Sequence, residues 1–243
     1  MRPEESGSRP PQGLPKGIIE ISELRDRTHV FRDRVHAGEM LAEMLACCRQ
    51  ESFTAMAIPA GGVPVGKTVA ERLGIPFDVA VVSKITFPWN TEAGYGAVAF
   101  DGTVRLNSRL VERMGLSETD VRAGIEKTVR KVKRRMKTFF GNRPFPEFAG
   151  QSIVLIDDGV ASGFTMRTAV EAVKKLSAAR LIVAVPTAHR ESMGSIAASV
   201  DALFCPNIRS GPGYAVAEAY EHWTDVDEEE AVRLLLDAIS AAG

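Results

Sequence analysis

Residues 152–176 run SIVLI, DDGVASG and FTMRTAVEAVKKL in unbroken succession: an apolar strand, two acids with a glycine-containing loop, and an amphipathic helix. A strand that is apolar at nearly every position needs cover on both faces, which in a water-soluble chain means a parallel sheet flanked by helices. LIVAVP at 181–186 supplies the returning strand of a right-handed strand–helix–strand unit.

The first half repeats that logic. GEMLAEMLACCRQ (38–50) places Met40, Leu41, Met44, Leu45 and Cys48 at helical spacing, and FTAMAIP reads as a buried strand ending at proline and glycine. Pro64 opens a helix whose inward face is Val65, Val69 and Leu73 and which Gly74 stops. FDVAVVSK (77–84) is read as one strand, and TFPWNTEAGYG (86–96) as a long surface loop. A hairpin turn is expected at Asp101–Gly102. Ser117 with Asp120 forms a capping box for a long helix through Val121, Ile125, Val129, Val132 and Met136. A last strand is expected at ALFCP (202–206), and a final helix capped near Asp227 carries Ala231, Leu234, Leu235 and Ile239. The expected fold is α/β, a doubly wound parallel sheet.

With 243 residues, 45% hydrophobic and 25% charged, the chain can bury a core without a metal or disulfide staple. The three cysteines, Cys47, Cys48 and Cys205, suggest no disulfide framework, and the four histidines show no metal-ligand spacing. A net charge of −1 gives no overall pull toward nucleic acid or anionic membrane. MRPEESGSRPPQGLPKG (1–17) reads as a flexible lead-in without a signal-peptide core, and 18–243 as the folded domain; the expectation is a cytoplasmic protein.

Ligands of such sheets bind beyond the carboxyl ends of the strands. There stand Asp157 and Asp158, then Gly159 and Gly163, which let the backbone turn tightly, and the hydroxyls of Ser162 and Thr165. Free amides at the opening of the following helix make an anion site suited to phosphate. Paired carboxylates repel unless a partner donates hydrogen bonds to them, as vicinal sugar hydroxyls do. Acids beside a phosphate nest describe a ribose 5-phosphate cradle.

At DDGVASGFTM the sequence resembles the phosphoribosyl-pyrophosphate signature of type I phosphoribosyltransferases. FRDRVHAGEMLAEML (31–45), IPAGGVPVG (58–66), the 81–99 stretch and GYAVAEAYEHWTDVDEEEAV (213–232) extend the resemblance, which covers roughly residues 30–235. It implies that Asp157 and Asp158 hold the ribose hydroxyls while Ala161, Ser162, Gly163, Phe164 and Thr165 wrap the 5-phosphate. It further implies that Ala60, Gly61 and Gly62 form a pyrophosphate loop and that Lys84 adds charge near the leaving group. The resemblance also implies that magnesium rides on the substrate pyrophosphate, that the 86–96 loop is a lid, and that a small hood arises from residues 95–110 and the C-terminal region. The partners it implies are phosphoribosyl pyrophosphate, a small nitrogen acceptor and a second copy in a homodimer. Two residues depart from the pattern: Ala60 stands where the loop usually offers a base, and Phe164 is bulkier than usual.

Rival readings exist. GGVPVGKT (61–68) matches a P-loop of nucleotide hydrolases, although Pro64 starts a helix early enough to put Lys67 on its flank, as a solvated lysine. Another reading is a non-catalytic sensor of phosphoribosyl pyrophosphate. Lys127, Arg130, Lys131, Lys133, Arg134, Arg135 and Lys137 crowd the long helix without an interleaved aromatic platform, so they are read as a solvated basic face rather than a nucleic-acid grip. Arg32 and Arg34 are read as surface or interface residues, and Tyr220 and Trp223 as packing; Tyr214 lines the acceptor side or packs the C-terminal helix, and Trp89 stacks on a base or anchors its loop.

Overall fold

The structure is a computed structural model that describes residues 17–48 and 53–241. The lead-in expected at 1–17 falls almost entirely outside the described residues. In chain order the elements are β1 (Ile18–Ile19), α1 (Arg34–Leu45), β2 (Phe53–Ala57), α2 (Gly62–Leu73), β3 (Phe77–Val79), β4 (Val82–Phe87), β5 (Asn90–Ala99) and β6 (Val104–Leu106). They continue as α3 (Ser108–Arg113), α4 (Glu118–Phe140), β7 (Ser152–Ile156), α5 (Phe164–Lys174), β8 (Arg180–Ala184), β9 (Thr187–His189), α6 (Arg190–Ala197), β10 (Ala202–Phe204), β11 (Asn207–Arg209) and α7 (Glu228–Ala241).

The expected doubly wound sheet is present, with strand order β1-β10-β8-β7-β2-β3 and every pair parallel. Alternation along β7 shows why. Val154 and Ile156 join a core built with α1, α2, α4 and α7, whereas Ile153 and Leu155 join one built with α5 and α6. From β2 the chain crosses by α2 to β3 on one side; from β7 it crosses by α5 to β8 on the other. The strand order therefore reverses between β2 and β7, so their carboxyl ends open into the crevice where ligands of such sheets sit.

Several boundaries differ from the sequence reading. The helix expected at 38–50 starts at Arg34, because Asp33 caps it, its side chain accepting from the His36 amide at 2.8 Å. The helix expected to open at Pro64 begins at Gly62. FDVAVVSK divides into β3 and β4, which belong to different sheets.

The 86–96 segment is not a long loop. β4 and β5 form an antiparallel hairpin with its turn at Pro88–Trp89, and β6 completes a three-stranded sheet. Phe87 and Tyr95 are buried and tilt against each other at 5.3 Å, so core contacts outweigh the local turn formers. Gly96 is needed there for closeness: a Cβ would stand 2.5 Å from the Arg105 carbonyl oxygen across the β5–β6 ladder. The turn at Asp101–Gly102 is as expected, Gly102 N–H donating to the Ala99 carbonyl at 2.9 Å. The Ser117–Asp120 capping box is present, and Asp227 accepts from the Glu230 amide at 2.7 Å. Among the described residues no helix is long and apolar enough to cross a membrane.

Replacing Gly96 with Ala is expected to destabilise the protein by about 1–3 kcal/mol, because the carbonyl it meets belongs to a paired backbone that must shift. Urea unfolding of the variant measures this. An unchanged midpoint would show that β6 can move aside freely.

Candidate active site

The two acids stand where β7 ends. Asp158 is clamped by a residue from the start of α1: Arg34 Nε and Nη2 donate to Asp158 Oδ2 at 3.0 and 2.9 Å, and Nη1 donates to the Thr224 carbonyl at 2.7 Å. The guanidinium lies over the Trp223 ring, 3.9 Å from its centroid. Tyr220 Oη donates to the Asp158 carbonyl at 2.6 Å. Arg34 is thus a buried structural cation of the site, not a surface residue, and Trp223 borders the cavity as well as packing. Both Arg34 bonds fall on one oxygen, which leaves Oδ1 outside the clamp. Asp157 Oδ1 accepts from the Asp158 amide at 2.9 Å.

Electrostatics divide the pair. Burial pushes Asp157 well above the carboxylate range and the neighbouring Asp158 charge adds to this, against the pull of Lys84 and Arg34. Burial also raises Asp158, but the Arg34 charge and hydrogen bonds oppose it. The charge therefore concentrates on Asp158, and Asp157 is the carboxyl that holds a proton more readily.

The loop after the acids is pinned at Val160, whose amide donates to the Thr187 carbonyl at 2.9 Å and whose carbonyl accepts from the His189 amide at 2.8 Å. Beyond it the chain turns at Gly163, φ 74°, to open α5. The first amide of this turn with a backbone acceptor is that of Arg167, bonded to the Gly163 carbonyl at 2.9 Å. Among the described residues the amides of Ala161, Ser162, Gly163, Phe164 and Thr165 donate to no protein acceptor. Their dipoles and the helix end favour an anion. The Phe164 ring carries the Arg167 guanidinium, 4.3 Å from its centroid.

Opposite lies the β2–α2 loop, with a cis peptide at Pro59–Ala60. Gly61 and Gly62 touch the acids: a Cβ on Gly61 would collide with the Asp158 carboxylate, and one on Gly62 would stand 3.0 Å from the Asp157 Cα. These glycines let the loop close on the acid pair. The open wall there is made by Ile58 and Pro59 rather than by Ala60, Gly61 and Gly62.

A cavity of about 490 Å³ joins these parts. Asp157, Asp158, Gly159, Ala161, Ser162, Gly163 and Thr165 line it, and so does the exposed Lys84 from β4. Besides Arg34, sequence reasoning missed two further cations. Lys131 lines the cavity, and Arg135, also on its wall, is buried rather than solvated. The spacing of Lys131 and Arg135, one helical turn apart beside the inward Thr128 and Val132, was the available signal. The P-loop pattern is not realised: Lys67 lies inside α2 and pairs with Glu71 at 2.6 Å.

The raised acids set a pH dependence. A carboxyl whose folded-state pKa exceeds its unfolded value stabilises fully below the unfolded value, near about 4, and loses that contribution as pH rises through the folded one. Asp157→Asn removes this loss. The variant is expected to melt above the parent at pH 7, with the gap closing as pH is lowered toward about 4. A gap independent of pH would contradict the assignment.

A family profile described as "Phosphoribosyl transferase domain" matches residues 36–219. A Mycobacterium tuberculosis protein named "Putative phosphoribosyl transferase" is 31% identical over 208 residues, covering 85% of this chain and 46% of that protein, so the chain spans about half the length of the curated relatives it matches. The crystal structure of TT1426 from Thermus thermophilus is similar at 31% identity and a TM-score of 0.69, covering 85% of this chain and 98% of that one. With the acid pair and the amide loop on the carboxyl edge of its parallel sheet, the chain belongs to the phosphoribosyl transferase family.

Proposed function

We propose that the chain binds phosphoribosyl pyrophosphate and transfers its phosphoribosyl group to a nitrogen nucleophile, releasing pyrophosphate. The observation that carries this is the shared cavity: the two acids and four residues of the undonated-amide turn, Ala161, Ser162, Gly163 and Thr165, line one volume of about 490 Å³, within the roughly 300–1,000 Å³ typical of small-ligand sites. In this reading the amides of residues 161–165 hold the 5-phosphate, and Asp157 with Asp158 Oδ1 accepts from the ribose hydroxyls. The bond from the anomeric carbon to the pyrophosphate oxygen breaks, its electron pair leaving with pyrophosphate, and a bond to the acceptor nitrogen forms. Asp158, kept charged by Arg34, offsets the positive charge that develops on the sugar.

The hard oxygens of the acid pair suit a magnesium ion brought in on the substrate. Such an ion neutralises charge on the departing pyrophosphate. Lys84 acts at the same end. The three-stranded sheet of β4, β5 and β6, with the C-terminal region around Tyr214, forms the hood that selects a nucleobase-like acceptor. Cys47, Cys48 and Cys205, none of them in a disulfide, accord with a cytoplasmic location, and the active form is a homodimer.

Incubation with phosphoribosyl pyrophosphate, magnesium and a panel of nitrogen bases tests the reading, and release of pyrophosphate with at least one base is expected. In calorimetric titration Asp157→Asn is expected to weaken phosphoribosyl pyrophosphate binding by about 10- to 100-fold, because an amide NH2 replaces an oxygen that accepts from the sugar and leaves the hydroxyl unpaired. Tight binding without release for every base would make the protein a sensor instead. Equal binding by the variant would remove Asp157 from the site.

A further inference from the structure

The β2–α2 loop has a neutral character that the site must offset. Pro59, Ala60, Gly61 and Gly62 carry no charge, and of its amides that of Gly62 already donates to the Ile58 carbonyl at 3.1 Å and that of Val63 to the Ala60 carbonyl at 3.0 Å. An anion laid against this loop finds few free donors. Positive charge arrives from α4 instead. Arg135 is committed to protein partners: Nη2 donates to the Pro59 carbonyl at 3.1 Å, Nη1 to the Val82 carbonyl at 2.9 Å and Ser83 Oγ at 3.2 Å, and Nε to Glu228 Oε1 at 2.8 Å. These bonds tie the helix to the loop, to β4 and to α7. Lys131 stands one turn earlier and lines the cavity beside Pro59 and Ser83. Among the described residues its ammonium makes no hydrogen bond and no ion pair. Partial burial and the Arg135 charge lower its proton affinity, against the pull of the Glu228 charge.

We infer that Lys131 is the substrate-contacting cation for the pyrophosphate group, and that Arg135 is a positioning residue that fixes α4 against the loop so that Lys131 reaches it. The inference rests on the ribosyl-transfer reading and names, within it, the residue that supplies charge where the loop has none. A point charge on a flexible stem suits phosphoryl oxygens that depart during the reaction.

The test titrates the full chain separately with magnesium pyrophosphate and with ribose 5-phosphate. Lys131→Ala is expected to weaken pyrophosphate binding by about tenfold, the loss of one charge-assisted contact, and to leave ribose 5-phosphate binding unchanged. Lys131→Arg, which keeps the charge, is expected to recover most of the affinity. Lys131 is exposed, so the alanine variant keeps the parent melting temperature. Unchanged pyrophosphate affinity in Lys131→Ala, equal losses for both ligands, or no pyrophosphate binding by the intact protein would overturn the inference. The ribose 5-phosphate titration of the intact protein reports separately on the ribosyl-transfer reading, which fails if that ligand does not bind.

Discussion

Two adjacent carboxylates at the buried end of a strand are an unstable arrangement, and the Arg34 guanidinium is what makes it tolerable. By donating twice to Asp158 Oδ2 it fixes which acid bears the charge. Its third bond, to the Thr224 carbonyl, and its stacking on Trp223 hold the C-terminal segment against the same point. One cation therefore couples the start of α1, the end of β7 and the chain before α7. A buried pair of this kind is costly to break, because either partner alone would be a desolvated charge. What Arg34 leaves unmet, chiefly the Asp157 carboxyl, is available to a ligand.

The sheet supplies the place and the helices supply the charges. Reversal of strand order between β2 and β7 puts a glycine loop beside the acids, close enough that side chains on Gly61 and Gly62 would meet them. The amide turn before α5 borders the same crevice as Lys131 and Arg135 of α4. In the proposed reading an anion sits at each, with hydroxyls between them, as in a sugar carrying phosphoryl groups at two positions, an arrangement for which nucleotide hydrolysis has no use. Hydrolysis would need Lys67 over a phosphate, and that residue is committed to Glu71 along the flank of α2.

The legible parts of this arrangement are those whose residues are neighbours in the chain. Strand, acids, glycine turn and helix follow one another from Ser152 to Lys174, so their order in sequence is their order in space. Arg34 was not legible, since it lies 124 positions from its partner and its helix was read as starting four residues later, which placed it in a connecting segment. Arg135 and Lys131 were hidden for another reason. They sit among six other cations on α4, and only their register with the inward Thr128 and Val132 sets the two that line the cavity apart from those in solvent. The 86–96 hairpin was obscured by its own composition: asparagine, proline and glycines signal turns, while the burial of Phe87 and Tyr95 that makes them strands comes from α4 and the sheet, which pattern reading does not see.

The central claim is that the turn at residues 161–165 grips a phosphate through its backbone while the acids grip the sugar. Its most direct measurement is amide chemical-shift mapping of the labelled protein during titration with ribose 5-phosphate. The account predicts that the amides of Ala161, Ser162, Gly163, Phe164 and Thr165 shift together, with a single affinity, and that Asp157→Asn weakens that affinity. Shifts confined to the exposed lysines and arginines of α4, with the turn unmoved, would contradict it.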